Sequence, residues 1–235
     1  MAAKKSTRGH VTAVVDILGY RIAAGQYAEG ETLPIEQELA DSLQVGRNAL
    51  REAVKVLSGK GLIRTAPRSG TRVRPREDWN MLDPDVLKWH ADPDIASAQF
   101  MLDLVEMRDI VEPRAAELAA TRATREDVAH ILSAYEAMAD PRADEQQRIT
   151  ADINFHSAIL KASHNQVLTH FRHAVAAYLM AHSRLGRQVS SSAANDDLER
   201  HHQIALAIAT GKAGNARQLT VEMLQRNRSH FSREQ

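Results

Sequence analysis

The chain has 235 residues, room for one large or two small domains, and its 43% hydrophobic and 26% charged residues suit a folded chain rather than a disordered one. It contains no cysteine, which excludes disulfide scaffolds, iron–sulfur clusters, zinc ribbons and thiol nucleophiles. The formal net charge is zero, yet residues 1–76 carry 13 Lys and Arg against 7 Asp and Glu, and the remainder 17 against 23. A basic first part joined to an acidic second part implies a polyanion partner for the first. Ten of the eleven histidines follow residue 76, so imidazole chemistry is expected there. The longest apolar stretch, the eight residues from Ala174 to Ala181, falls far short of the roughly 18 that cross a bilayer. Met1 to Arg8 lacks the apolar core of a signal peptide. The sequence reads as that of a cytoplasmic protein with no membrane partner.

Residues 9–24 place Val11, Val14, Leu18 and Ile22 at helical spacing, and Gly25 closes this first helix. After a turn at 27–30, Leu33-Pro34-Ile35-Glu36 opens a short helix to Leu43, since proline's missing N–H costs little at a helix start. A third helix is expected over 46–58, with Leu50, Ala53, Val54 and Leu57 inward and Arg47, Asn48, Arg51 and Lys55 outward. With Gln44-Val45-Gly46 between them, the two short helices form a helix-turn-helix. Residues 62–65 and 71–74 read as strands around Ala66-Pro67-Arg68-Ser69-Gly70, a basic-tipped wing. Arg47, Asn48 and Arg51 suit the major groove, where arginine reads guanine O6 and N7 and asparagine reads adenine. Arg68 suits the DNA backbone or the adjacent minor groove. A basic helix alone would equally be a solvated face; helix, turn, helix and wing in order, with the charge excess, favour double-stranded DNA.

Leu33-Pro34, Glu36, Leu39-Ala40, Val45, Arg47, Leu50-Arg51-Glu52-Ala53, Leu57, Gly61-Leu62-Ile63 and Gly70-Thr71 resemble the winged-helix domain of the GntR family over almost all of residues 7–76. The resemblance implies that Arg47, Asn48, Arg51, Arg68 and Gly70 approach an operator. Gln37 departs from the arginine frequent at its position in that family.

Residues 77–94 read as a packed linker and short helix, with Asp83-Pro84 as N-cap and first helical residue of a turn to about His90. No strand pattern follows. A helix over 95–121 carries the seam Leu104, Met107, Val111, Ala115 and Leu118, and Thr124 to Asp127 opens one to Met138 with a capping box. Further helices are expected over 143–163, 166–186, 196–210 and 213–232, with Gly211 ending the penultimate one. The expected fold is mainly α: a winged helix-turn-helix domain over 7–76, then an all-α antiparallel bundle over 95–235, with ligand sites between facing helices.

Asp152 and His156, at i and i+4, share one helix face, and His201 opens another helical run. One carboxylate and two imidazoles can hold a divalent ion such as Zn²⁺, Mn²⁺ or Ni²⁺. The same residues also fit a hydrogen-bonded core histidine beside a surface aspartate.

Glu106, Arg108, Glu112, Asp152-x-x-Phe155-His156-x-x-Ile159, Asn165 and His201-x-x-Ile204 resemble the FCD effector domain of the FadR-type branch of the GntR family. The resemblance implies a metal site of Asp152, His156 and His201, a fourth ligand position falling on Met223, and an effector pocket faced by Arg108, whose guanidinium suits a carboxylate clamp. By the residues alone, Arg108 and Glu112 could instead pair on the helix surface. A thioether is a poor ligand for such ions, so Met223, in phase with Leu219 and Phe231, reads as core packing. Three protein ligands would then leave a position for the effector to complete. The string from Trp79 to Trp89 is similar to that of sugar-acid-sensing members. His164, His170, His173 and Arg184 read as solvent-facing.

The expected protein is a homodimeric transcription repressor, the dimer being implied by the family, that an aldonate-type acid bound among Arg108, Asp152, His156 and His201 releases from operator DNA. An enzyme is not expected. A metal-dependent hydrolase with an accessory basic domain would need motifs absent here, among them His-Glu-x-x-His, a Gly-x-Ser-x-Gly elbow and a phosphate loop. An architectural DNA-binding protein without an effector is the other competing class.

Overall fold

In the computed structural model, which describes residues 7–184 and 191–231, the chain divides into two units with the boundary between Ile95 and Ala96. The first begins with α1 (Thr7–Ala23), whose stripe of Val14, Leu18 and Ile22 is buried as its spacing predicts. α2 (Glu36–Ser42) and α3 (Arg47–Gly59) follow, α3 burying Leu50, Ala53 and Leu57. Ile35 is the N-cap of α2, so Pro34 stands just before the helix rather than in its first turn. β1 (Ile63–Ala66) and β2 (Gly70–Val73) pair antiparallel, from Ile63 opposite Val73 to Ala66 opposite Gly70. A further edge segment was not evident in the sequence: Thr32 bridges to Arg72, the Leu33 N–H donates to Thr71 O, and the Val73 N–H donates to Glu31 O. It is too short to show an alternating pattern.

The segment expected as a linker belongs to this first unit. A 3-10 turn at Arg76–Asp78 leads to α4 (Pro84–His90), and Trp79, Val86, Leu87 and Trp89 are all buried. Asp83 caps α4 as expected, accepting from the N–H groups of Asp85 and Val86. Its carboxylate also lies 2.7 Å from Lys60, the C-cap residue of α3, and Lys60 reaches Asp85 at 2.8 Å. Gly19 sits within α1, where glycine weakens a helix, but a Cβ there would overlap the Trp89 ring. The glycine makes room for that indole, whose Nε1 donates to Asp16 at 3.2 Å.

The second unit is α5 (Ala98–Arg122), α6 (Arg125–Ala139), α7 (Glu145–Ala162), α8 (Gln166–His170), α9 (Arg172–Arg184), α10 (Ser191–Ala209) and α11 (Ala213–Phe231). Ser97 caps α5, which therefore starts slightly later than the apolar pattern suggested. Thr124 with Asp127, and Asp144 with Gln147, form complete capping boxes on α6 and α7. α5 packs against α7, α9, α10 and α11, and α7 against α5, α6, α8 and α9, so these two helices line the middle of the bundle. The helix expected over 166–186 is interrupted at Phe171, where no glycine or proline signals a break. Its last two residues, the side chains of Arg184 and Phe231, and residue 232 lie outside the described residues. No described helix is long and apolar enough to cross a membrane.

His90 closes α4 with its ring 5.4 Å from that of Trp79, and burial, aided by the charge of Arg76, pushes its pKa down to about 4. An unfolded histidine titrates near 6.5, so between these values the unfolded chain binds more protons and the first unit loses stability as pH falls. His90→Gln should flatten the acid-side loss of stability by up to about 1.4 kcal/mol per pH unit. Thermal or urea unfolding between pH 6.5 and 4 checks this, and parallel losses in both chains would contradict it.

Candidate DNA-binding and effector sites

At the start of α3, Gly46 provides no side-chain cap, so the first-turn N–H groups remain available beside exposed Arg47 and Asn48. A helix N-terminus so built carries partial positive charge toward an anion. One turn on, the Arg51 side chain is 62% exposed and its Nε lies 2.5 Å from Glu36 Oε1 on α2. An exposed pair of this kind is worth little, so Glu36 aims the guanidinium without locking it.

The wing tip is strained. Ser69 N–H donates to Ala66 O at 3.2 Å, with Pro67 and Arg68 as the central residues of the turn and Arg68 at φ 65°. That is a type II pattern, which normally places glycine where Arg68 stands. Gly70 also has a positive φ, 75°. The strand register adds a feature not evident from the sequence: Arg64 and Arg72 are direct cross-strand partners, and both are exposed. Like charges placed opposite each other destabilise a hairpin, and a polyanion removes that cost.

In the second unit, the apolar face of α5 carries two charged residues. Arg108 and Glu112 are only 2% and 3% exposed, with Arg108 Nε 2.5 Å from Glu112 Oε1. They pair, but in the core rather than on the surface. The guanidinium lies 4.6 Å from the centre of the Tyr178 ring of α9. The other oxygen of Glu112 is 2.6 Å from His156 Nδ1 on α7. His156 Nε2 is in turn 3.2 Å from Asp152 Oδ1, and that oxygen is 3.4 Å from His201 Nε2 on α10. Helices α5, α7 and α10 thus bring together all four residues the sequence proposed, with Glu112 between Arg108 and His156. Its i, i+4 spacing from Arg108 was the available signal; its contact with His156 was not visible.

Charge alternates along this chain of groups. Burial alone would raise the Glu112 carboxyl, but Arg108 and then His156 hold it down at about 2. Burial would lower His156, but Glu112 and Asp152 outweigh it and hold the imidazole up at about 9. The two histidines keep Asp152, despite its desolvation, well below the usual carboxylate range, and burial would lower His201 but Asp152 outweighs it and raises it. The Asp152 side chain is 28% exposed, which makes this the solvent-facing corner of the cluster.

One ligand atom from each of Asp152, His156 and His201 lies within 4.8 Å of the others. Among the described residues, Asp152 Oδ1 and His201 Nε2 are also buried polar atoms that face each other at 3.4 Å without a well-directed hydrogen bond. Buried polar atoms without partners are costly, and a cation between them would satisfy both, so the residues fit a divalent ion. Met223 is buried on α11 and shares with His156 and Glu112 the wall of a cavity of about 10 Å³. His164, expected at the surface, is half exposed and bonds Asp127 at 2.8 Å.

A winged helix-turn-helix unit followed by an all-helical unit with a buried charged cluster defines a transcription regulator. The model of the bacterial regulatory proteins of the gntR family matches residues 11–73, and that of the FCD domain matches 103–226. The chain belongs to the gntR family and carries an FCD domain. It is 40% identical to the galactonate operon transcriptional repressor of Escherichia coli over 66% of this chain and 67% of that protein. It is 38% identical to the regulator YieP of the same organism, again over 66% and 67%. Among solved structures, a GntR protein of Streptococcus agalactiae matches with a TM-score of 0.52 and 25% identity over 94% of this chain and 99% of that one. These proteins are regulators, not enzymes, and nothing in them supports a hydrolase.

Replacing Arg68 with glycine should relieve the wing tip and stabilise the chain by about 1 kcal/mol. The same change should weaken binding to double-stranded DNA. Thermal melts and fluorescence anisotropy with labelled DNA check the two effects, and lower stability or unchanged DNA affinity would contradict them.

Proposed function

We propose that this protein is a homodimeric repressor of sugar-acid catabolism, released from its operator when the acid binds the second unit. The observation that carries the reading is the buried cluster of Arg108, Glu112, Asp152, His156 and His201. Burying so many charged groups costs several kcal/mol per ion before pairing offsets it, and such clusters mark functional sites. The first acid to test is galactonate, because a relative 40% identical is the galactonate operon repressor.

In this reading Arg47, Asn48 and Arg51 enter the major groove, while Arg68 and Gly70 bring the wing against the backbone or the minor groove. Two copies of the module over 7–76 read a short palindrome, residues 77–94 follow it, and residues 95–235 bind the effector and hold the dimer together. Asp152, His156 and His201 would hold Zn²⁺, Mn²⁺ or Ni²⁺, and Met223 packs where a fourth ligand would stand. Such an ion would supply a Lewis-acidic anchor for carboxylate and hydroxyl oxygens. Arg108 presents a second anchor for the carboxylate, sharing its guanidinium with Glu112. The acid releases DNA only in so far as it binds the released form more tightly than the DNA-bound form.

Two variants separate the sites. With operator sequences selected by the wild-type protein, Arg51→Ala should lose at least about tenfold in DNA affinity and still bind galactonate. His156→Ala should bind the operator normally and no longer be released by the acid. Undiminished DNA binding by the first would overturn the helix assignment, and normal release of the second would overturn the pocket. DNA binding by the wild-type chain that no sugar acid alters would leave an architectural protein.

A further inference from the structure

We propose that Glu112 is a positioning residue for the metal ligand His156, itself held by Arg108; the inference rests on the proposed metal site of Asp152, His156 and His201. A single carboxylate on α5 reaches two partners. Its Oε1 takes the Arg108 Nε–H at 2.5 Å, and its Oε2 lies 2.6 Å from His156 Nδ1 on α7. A carboxylate accepts, so Nδ1 of His156 carries the proton, and in the neutral ring the lone pair falls on Nε2. Nε2 is the nitrogen that faces Asp152 Oδ1 at 3.2 Å.

His201 is held by the same device. Its Nδ1 lies 2.7 Å from the backbone oxygen of Asp197, which can only accept, so its Nε2 is likewise the free nitrogen and faces Asp152 Oδ1 at 3.4 Å. The buried Phe155 ring stands edgewise to both imidazoles, 5.7 Å and 5.0 Å away, and restricts their rotation. Each histidine thus has its outer nitrogen tied and its inner nitrogen turned to a common point. A hydrogen-bonded outer nitrogen fixes ring orientation and raises ligand basicity.

Arg108 explains why the carboxylate can be buried there. Alone, Glu112 would be a desolvated anion, and the guanidinium offsets its charge. A merely structural ion pair within α5 needs only Arg108 and Glu112. The contact to His156 is the additional one, and it leads to the ligand set.

The test measures Zn²⁺ and Mn²⁺ affinity of the full-length protein against a chromophoric chelator, in Glu112→Ala and Glu112→Gln. Alanine should lower affinity about 10- to 100-fold. Glutamine keeps an acceptor for Nδ1 but loses the charge, and should fall in between. Because either change leaves Arg108 buried without its partner, the same titration is run with Arg108→Met added, in chains whose circular dichroism matches the wild type. The His156 Nδ1–H proton in the Zn²⁺ form gives the second readout: a downfield, exchange-protected signal in the wild type, and an upfield shift or loss to exchange in Glu112→Ala. Equal metal affinity in all chains, or an unchanged Nδ1–H signal, overturns the positioning role. A wild-type protein that takes up neither ion overturns the metal reading itself, and this inference with it.

Discussion

The structure of the second unit depends on one carboxylate buried between a guanidinium and an imidazole. Glu112 cannot sit 3% exposed in a helical core without compensation, and Arg108 on one side and His156 on the other provide it. That requirement fixes the approach of α5 to α7, and through His156, Asp152 and His201 it extends to α10. The row of alternating charges is therefore a spatial specification as well as a chemical one. An apolar core of the same volume would be cheaper to build, which is why its presence argues for a ligand.

The first unit shows the opposite economy. Apart from His90, its interior is apolar, from Leu18 and Ile22 to Trp79 and Trp89, and its other unfavourable features lie on the outer surface. Arg68 occupies a turn position suited to glycine, and Arg64 stands beside Arg72 across the wing. Both features cost stability in the free protein, and both present arginines where a polyanion would meet them. Lys60, bonded to Asp83 and Asp85, ties the end of α3 to the start of α4, so the helix that carries Arg47, Asn48 and Arg51 is braced from behind.

Much of this was legible in the sequence because it is local. Val14, Leu18 and Ile22, the N-cap Asp83 and the capping box of Thr124 and Asp127 announce themselves within one or two helical turns. The convergence of Asp152, His156 and His201 followed from a resemblance; spacing alone joined only the first two. What could not be read was non-local. The pairing of Thr32 with Arg72, the break at Phe171 with no helix breaker, and the incorporation of residues 77–94 into the first unit are all decided by tertiary packing. The place of Arg108 was half visible: its spacing from Glu112 predicts a pair, but only the fold shows that the pair is buried and tied to His156.

The most direct test of the account is isothermal titration of galactonate into full-length protein, once loaded with Zn²⁺ or Mn²⁺ and once chelated. Saturable binding to the loaded protein is expected, and binding weaker by at least about tenfold after chelation, since a metal anchor is lost while Arg108 remains. Identical binding in the two preparations would contradict the role given to Asp152, His156 and His201. No heat in either, across galactonate and related aldonates, would contradict the sugar-acid site as a whole.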